Sequence, residues 1–404
     1  MTARTEFASG GVMLAASFLG LSVGISSLFF YTLGIFIRPL QAEFGWSRAS
    51  LSLAVLISGI VLAGASPFVG RLVDRVGTRP VLSVAMPALA LAAVGMSFLP
   101  ENLFLYLAAI SLLCLAGAGT SPVVYTRLVA AHFKVHRGLA LGLLLSGTGV
   151  AAALAPAFFT PFVAAHGWRA GYRLLAVVSI AAMPVVLVGL GRDSGSALQG
   201  GMASGHTGMA RTGFATLCRD RRFRLMLLSF FSLALGIGGL IVHFVPMLLD
   251  SGIDAVKAGR TAGLIGIAVI FGRIGAGALI DRVHAPFVAS AMLVAAAAGC
   301  ILLAIGGMQL AGLAAMLIGL AMGAEVDLIG FLVARYMGLT AYGSAYGILY
   351  GTFASGSVVG PFLVGLSFDF TGSYHAALIC AASLLTGAAI LLSRLGPYPV
   401  EAAE

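Results

Sequence analysis

Long apolar runs separated by short polar breaks succeed one another almost from end to end of the chain. A helix that crosses a bilayer needs roughly 20 apolar residues, and most of the runs reach that length. They predict spans near 11–36, 48–69, 80–99, 103–130, 138–163 and 171–191, then 225–249, 259–280, 285–305, 309–334, 342–366 and 374–394. The first run continues past Phe36 and is followed by many like it, so it is read as a span and not as the core of a signal peptide. One long polar stretch breaks the series, from Arg192 to Arg224, rich in Gly, Ser and Arg. It predicts a six-helix bundle over 1–191, a linker over 192–224 and a second six-helix bundle over 225–404.

Composition makes the membrane reading firm. Of 404 residues, 60% are hydrophobic and 9% charged, whereas a soluble domain carries about a quarter charged residues. A soluble core cannot hide that excess. The net charge of +9 would suggest nucleic acid in a soluble protein, but here topology explains it. With the N-terminus in the cytoplasm, the cytoplasmic segments collect Arg71, Arg75, Arg79, Lys134, Arg137 and the linker arginines. The opposite face keeps only Arg38, Arg48, Arg169, Arg173, Lys257 and Arg260. The positive-inside rule then puts both termini and the linker in the cytoplasm. The expectation is a multi-pass protein of the plasma membrane, the inner membrane in a bacterium, acting as a monomer in lipid without a nucleic-acid partner. Cys114, Cys218, Cys300 and Cys380 lack the close spacing of a metal or redox motif.

The two halves repeat each other. Gly70-Arg71-Leu72-Val73-Asp74-Arg75 returns as Gly277-Ala278-Leu279-Ile280-Asp281-Arg282, an offset of 207 residues. Leu128-Val129-Ala130 returns as Leu332-Val333-Ala334, and Pro156 as Pro361, at offsets of 204 and 205. A duplicated six-helix unit packed around a central site follows. The segment from Gly70 to Arg79 resembles the signature loop between spans two and three of the major facilitator superfamily. That resemblance covers essentially the whole chain and implies an all-α membrane fold of twelve transmembrane helices in two pseudo-symmetric six-helix bundles. Phe44-Gly45-Trp46-Ser47, Arg137-Gly138-Leu139-Ala140-Leu141-Gly142 and an arginine inside span eight are similar to bacterial relatives of the monocarboxylate transporters.

That arginine is Arg273, with apolar sequence on both sides and about 20 Å below the outer end of its span at 1.5 Å per residue. Such a charge is costly unless it faces a cavity or a counter-charge, and its position in the first half, at the same offset, is Ser66. A permanently charged guanidinium matches a carboxylate through two parallel N–H groups, which points to a small anionic substrate; a structural ion pair is the alternative. The resemblance implies the same use of the arginine. Val269 and Tyr31 stand where the mammalian carriers have an aspartate and a lysine, so proton coupling cannot be copied from them, although Tyr31 remains a candidate for substrate contact.

Span ten carries Glu325 and Asp327. Two residues on a helix are about 200° apart, so both cannot face one cavity. One of them could carry a symported proton, or both could lock helices by pairing with Arg127, Arg273 or Arg335. Tyr125 and Ser121, one turn apart, could offer hydroxyls to a carboxylate or simply pack. His243 could gate, relay protons or sit at the interface. Tyr346 and Tyr350 are read as packing. Asp74, Arg75 and Arg79, with Asp281 and Arg282 in the second half, are read as cytoplasmic clamps that break on switching.

No G-x-x-x-x-G-K-[ST] loop occurs, so no cofactor is expected and transport must run on a gradient. No His/Asp/Cys set at ligand spacing suggests a metal or an enzyme. The reading is a carrier of a small carboxylate, coupled to protons, by alternating access; an anion exchanger or an exporter of drugs or metabolites with the same fold is the alternative.

Overall fold

The computed structural model describes residues 3–133, 137–191, 217–280, 282–338 and 342–399. Every regular element among them is helical. Among the described residues, eleven helical stretches are long and apolar enough to cross a membrane. The longest, Arg137–Gly189, is broken at Gly167, whose φ of 83° only glycine adopts without strain. Two spans meet there, and the fold is that of a twelve-span, all-α membrane protein.

Several helices outrun the apolar segments that predict them. Arg48–Val76 continues past residue 69, and Tyr342–Thr371 past residue 366. Hydropathy marks only the thickness of hydrocarbon, whereas backbone hydrogen bonding continues until something stops it. After Val76 the stop is Gly77, at φ 86°. Between 163 and 171, where a loop is predicted, the helix runs on through polar His166 to the single break at Gly167.

The chain packs into two compact units. The first holds Met1–Trp46, Leu53–Gly205 and Ala255–Gly259. Its first span consists of α1 (Ala3–Ser22), a π turn (Ile25–Phe29) and α2 (Phe30–Phe44). Its fourth consists of α5 (Leu103–Gly117), a 3-10 turn (Ala118–Thr120) and α6 (Pro122–His132); α3 (Arg48–Val76) and α4 (Thr78–Met96) lie between them in sequence. The two breaks meet. The N–H of Ile25 donates to Thr120 Oγ1 at 3.0 Å, and Thr120 donates to the Gly117 carbonyl at 2.7 Å. Broken backbone at membrane depth is tolerated when other groups satisfy it, and Thr120 does so. A Cβ on Gly24 would stand 2.5 Å from the Thr120 carbonyl oxygen, so the approach requires glycine. At one end of the same unit, Glu43 accepts from Trp168 Nε1 at 2.7 Å and pairs with Arg169 at 2.7 Å.

The second unit holds Ser47–Ser52, His206–Asp254 and Arg260–Glu404. Numbering on from α7 (Arg137–Gly189), its helices are α8 (Arg221–Asp250), α9 (Ala255–Ile280), α10 (Ala285–Ile305), α11 (Ala311–Met337), α12 (Tyr342–Thr371) and α13 (His375–Ser393). Small residues bring backbones together, as they do in lipid where apolar burial alone drives no association. Between α8 and α12, a Cβ on Gly239 would stand 2.9 Å from the Gly360 carbonyl. Between α9 and α11, side chains on Gly272, Gly319 or Gly323 would collide with the carbonyls of Leu320, Ile265 and Val269 respectively.

Candidate functional site

The glycine seam between α9 and α11 sets the position of the most notable charge. With no side chain at Gly323, the two backbones lie close enough for Arg273 Nε to donate to the Gly323 carbonyl at 3.3 Å. The same nitrogen stands 3.3 Å from Asp327 Oδ2, one turn further along α11. The Arg273 side chain is 15% exposed and that of Asp327 40%, so the cation is the more deeply set of the two. Arg273 Nη1 is buried without a hydrogen-bond partner among the described residues. An N–H of a buried cation left unmatched is costly, and its natural complement is an oxygen anion.

Glu325, two residues before Asp327, is partly buried and within electrostatic reach of Arg273. Tyr350 on α12 lies within reach of Glu325 in turn and stacks on Tyr346 with 5.9 Å between ring centroids. The separation of one turn puts the two phenols on one face of α12, where they stack on each other.

Tyr31, Ser121 and Tyr125 belong to the first unit. Tyr31 is partly buried on α2 with its ring edge-on to Phe30 at 5.4 Å. Ser121 precedes α6, buried, its hydroxyl without a hydrogen-bond partner. Tyr125 is fully buried and pressed against Gly20, where an added Cβ would stand 2.5 Å from the phenol oxygen, and this oxygen too has no partner. The breaks that position Ser121 were missed in sequence because apolar character runs through them, although Pro122 directly after Ser121 is the residue type that opens a new helix.

His243 is 1% exposed, inside a polar cluster of the second unit. Its Nε2 lies 3.0 Å from Ser52 Oγ and 3.0 Å from the Pro361 carbonyl, and its Nδ1 3.5 Å from Tyr374 Oη. Arg48 adjoins the same group. It is 4% exposed, pairs with Asp250 at 2.5 Å, hydrogen-bonds the Tyr374 hydroxyl and stacks on the Phe368 ring at 3.6 Å. Partners this distant in sequence make the burial of both groups possible.

Of the signature-loop residues, Arg79 donates to the Gly191 carbonyl at 3.2 Å. Arg75 and Arg282 are exposed. The side chain of Asp74, and Asp281 altogether, lie outside the described residues, as do Lys134 and the linker up to residue 216. Arg127 donates to the Gly70 carbonyl at 3.4 Å. Among the described residues no group of three or more His, Cys, Asp or Glu is placed to hold a metal ion.

The sequence profile of the Major Facilitator Superfamily matches residues 19–361. The chain belongs to this superfamily. As a facilitator it is a multi-pass membrane transporter of small molecules, and its similarity to known carriers runs the length of the chain. Monocarboxylate transporter 11 of Mus musculus is 27% identical over 399 residues, 95% of this chain and 87% of that protein. Monocarboxylate transporter 13 of Rattus norvegicus is 27% identical over 410 residues, 97% of this chain and 91% of that one. Among solved structures, a bacterial homologue of the human lysosomal transporter Spinster superposes with a TM-score of 0.68 at 13% identity, covering 98% of this chain and 96% of its own. That likeness is one of fold. The facilitator therefore sits among monocarboxylate transporter-like members by sequence and has the superfamily architecture by structure.

Proposed function

We propose that this facilitator carries a small monocarboxylate together with a proton, with Arg273 as the anchor for the carboxylate. The observation that carries the reading is the Arg273 guanidinium, held at Nε by Asp327 and the Gly323 carbonyl while buried Nη1 has no partner. An arriving carboxylate takes Nη1 and competes with Asp327 for the cation. Asp327, losing its counter-charge in a partly dehydrated place, then takes up a proton. Glu325 is the second candidate for that proton. Tyr31, Ser121 and Tyr125 are candidates for the remainder of the substrate, His243 for a gate, and Asp74, Arg75, Arg79, Asp281 and Arg282 for clamps that release during alternating access.

Coupling has an energetic motive. A monovalent anion entering a cell against 100 mV is opposed by about 2.3 kcal/mol, which depresses accumulation roughly fifty-fold. One proton carried with each anion cancels the term. In this reading both termini and the linker between the two six-helix halves lie in the cytoplasm, on the basis of the positive-inside asymmetry.

The test is a thermal-shift panel on the purified protein, pairing each carboxylate with its methyl ester. A bound ligand stabilises the native state by mass action, so at least one acid raises the unfolding temperature while its ester does not. Equal shifts from acid and ester would remove the carboxylate from the recognition. Uptake into proteoliposomes that occurs only with an anion trapped inside would replace symport by exchange.

A further inference from the structure

A second basic site lies far along the chain from Arg273. A cavity of about 540 Å³ opens where the start of α8 meets the residues that follow α13, and Arg221, Arg222 and Arg394 line it with Asp220, Leu225 and Leu395. The single carboxylate is already engaged. Asp220 caps α8, accepting from the N–H of Arg222 at 2.6 Å and of Phe223 at 3.4 Å. The helix end is thus satisfied by the protein itself, and what remains is three guanidiniums. None of the three has a carboxylate at ion-pair distance among the described residues.

The walls are fixed. The Arg222 guanidinium stands 5.5 Å from the Tyr336 ring centroid, and the Tyr336 hydroxyl donates to the Gly396 carbonyl at 2.6 Å. One tyrosine therefore ties the α8 wall to the wall that follows α13. Three like charges held around a void repel one another, and the arrangement is relieved by an anion with several oxygens, the geometry that guanidinium forks match in phosphate.

The level of the cavity selects the source of that phosphate. Arg221 opens one membrane span and Ser393 closes another, so the cavity sits where hydrocarbon gives way to headgroups. Leu225, partly exposed in the lining, offers apolar contact that a free ion cannot use. We propose that this cavity binds the phosphodiester headgroup of an anionic phospholipid. Basic pockets between spans at that level attract such lipids.

The experiment uses the full chain in neutral detergent micelles, titrated with phosphatidylglycerol, phosphatidylcholine or inorganic phosphate. Lipid retention is read by native mass spectrometry and stability by thermal unfolding. Phosphatidylglycerol is expected to be retained and to raise the unfolding temperature, with phosphatidylcholine and inorganic phosphate doing neither. Arg222→Gln with Arg394→Gln should weaken phosphatidylglycerol retention about tenfold or more. Arg219→Gln with Arg224→Gln removes the same charge outside the cavity lining and should leave retention intact. Equal loss in both double variants, or no loss in either, overturns the site. Equal stabilisation by inorganic phosphate overturns the lipid assignment. If the Arg222/Arg394 variant does not fold, the wild type still decides, because retention of phosphatidylcholine equal to phosphatidylglycerol sinks the proposal.

Discussion

The carboxylate of Asp369 caps the helix that begins at Arg48, accepting from the Arg48 N–H at 2.9 Å and from that of Ala49 at 2.7 Å. The two residues are 321 positions apart. A carboxylate at a helix N-terminus satisfies orphan donors and opposes the helix dipole, worth about 1 kcal/mol. Asp369→Ala is expected to lower the apparent unfolding temperature by about 2 °C and Asp369→Asn by less, measured on the purified protein. An unchanged temperature for Asp369→Ala would mean that the cap adds nothing to stability.

Arg273→Lys is expected to insert and fold yet bind substrate at least tenfold more weakly. The point charge survives while the planar fork does not, and Nε is the atom engaged by Asp327 and Gly323. Binding is measured by isothermal titration with the acid found in the thermal-shift panel. Normal uptake by a well-expressed Arg273→Ala protein would end the central assignment.

Neutralising Asp327 or Glu325 should abolish the acceleration of uptake by an inward proton gradient more than it weakens binding. Asp327, the residue at ion-pair distance from Arg273, is expected to show the larger effect. Uptake into proteoliposomes with imposed pH and voltage steps compares wild type, Asp327→Asn and Glu325→Gln. Full pH-driven accumulation in both variants would leave these carboxylates as helix-locking groups.

Gly323→Ala should damage binding where Gly312→Ala does not. A Cβ on Gly323 collides with the Val269 carbonyl and stands 2.7 Å from the Arg273 backbone nitrogen. A Cβ on Gly312 meets nothing nearer than a leucine methyl at 3.4 Å. Overpacking of the first kind costs about 1–3 kcal/mol and pushes apart the helices that carry Arg273 and Asp327. Matching affinities and unfolding temperatures for the two variants would show that the seam does not position the pair.

Orientation is tested with cysteines introduced one at a time in a background lacking Cys218 and Cys380, the remaining Cys114 and Cys300 being buried. Ser251→Cys, in the turn after α8, should react with an impermeant thiol reagent added to intact cells, and Pro397→Cys should be protected. The reverse pattern would invert the topology.

The sequence makes the spans legible because hydropathy adds up over some 20 residues, so local irregularity barely matters. Arg273 is legible for the opposite reason: one charge in an apolar run is conspicuous by itself. The surroundings of His243 are not legible, since Ser52 is 191 residues away and nothing local marks the pair. The breaks at Ile25–Phe29 and Ala118–Thr120 stay hidden because a bent apolar segment and a straight one have the same hydropathy. The facing of Glu325 and Asp327 depends on the rotation of α11, and that is set by which glycines of the seam meet α9, a tertiary fact.

Gly323 and Asp327 are four residues apart on one helix, yet the two oxygens that hold Arg273 Nε are of different kinds. The Gly323 carbonyl is part of the backbone and moves only with α11, whereas the Asp327 carboxylate turns on its own side-chain bonds. The guanidinium is therefore held by one fixed post and one swinging latch, and the latch can open while the post stays in place.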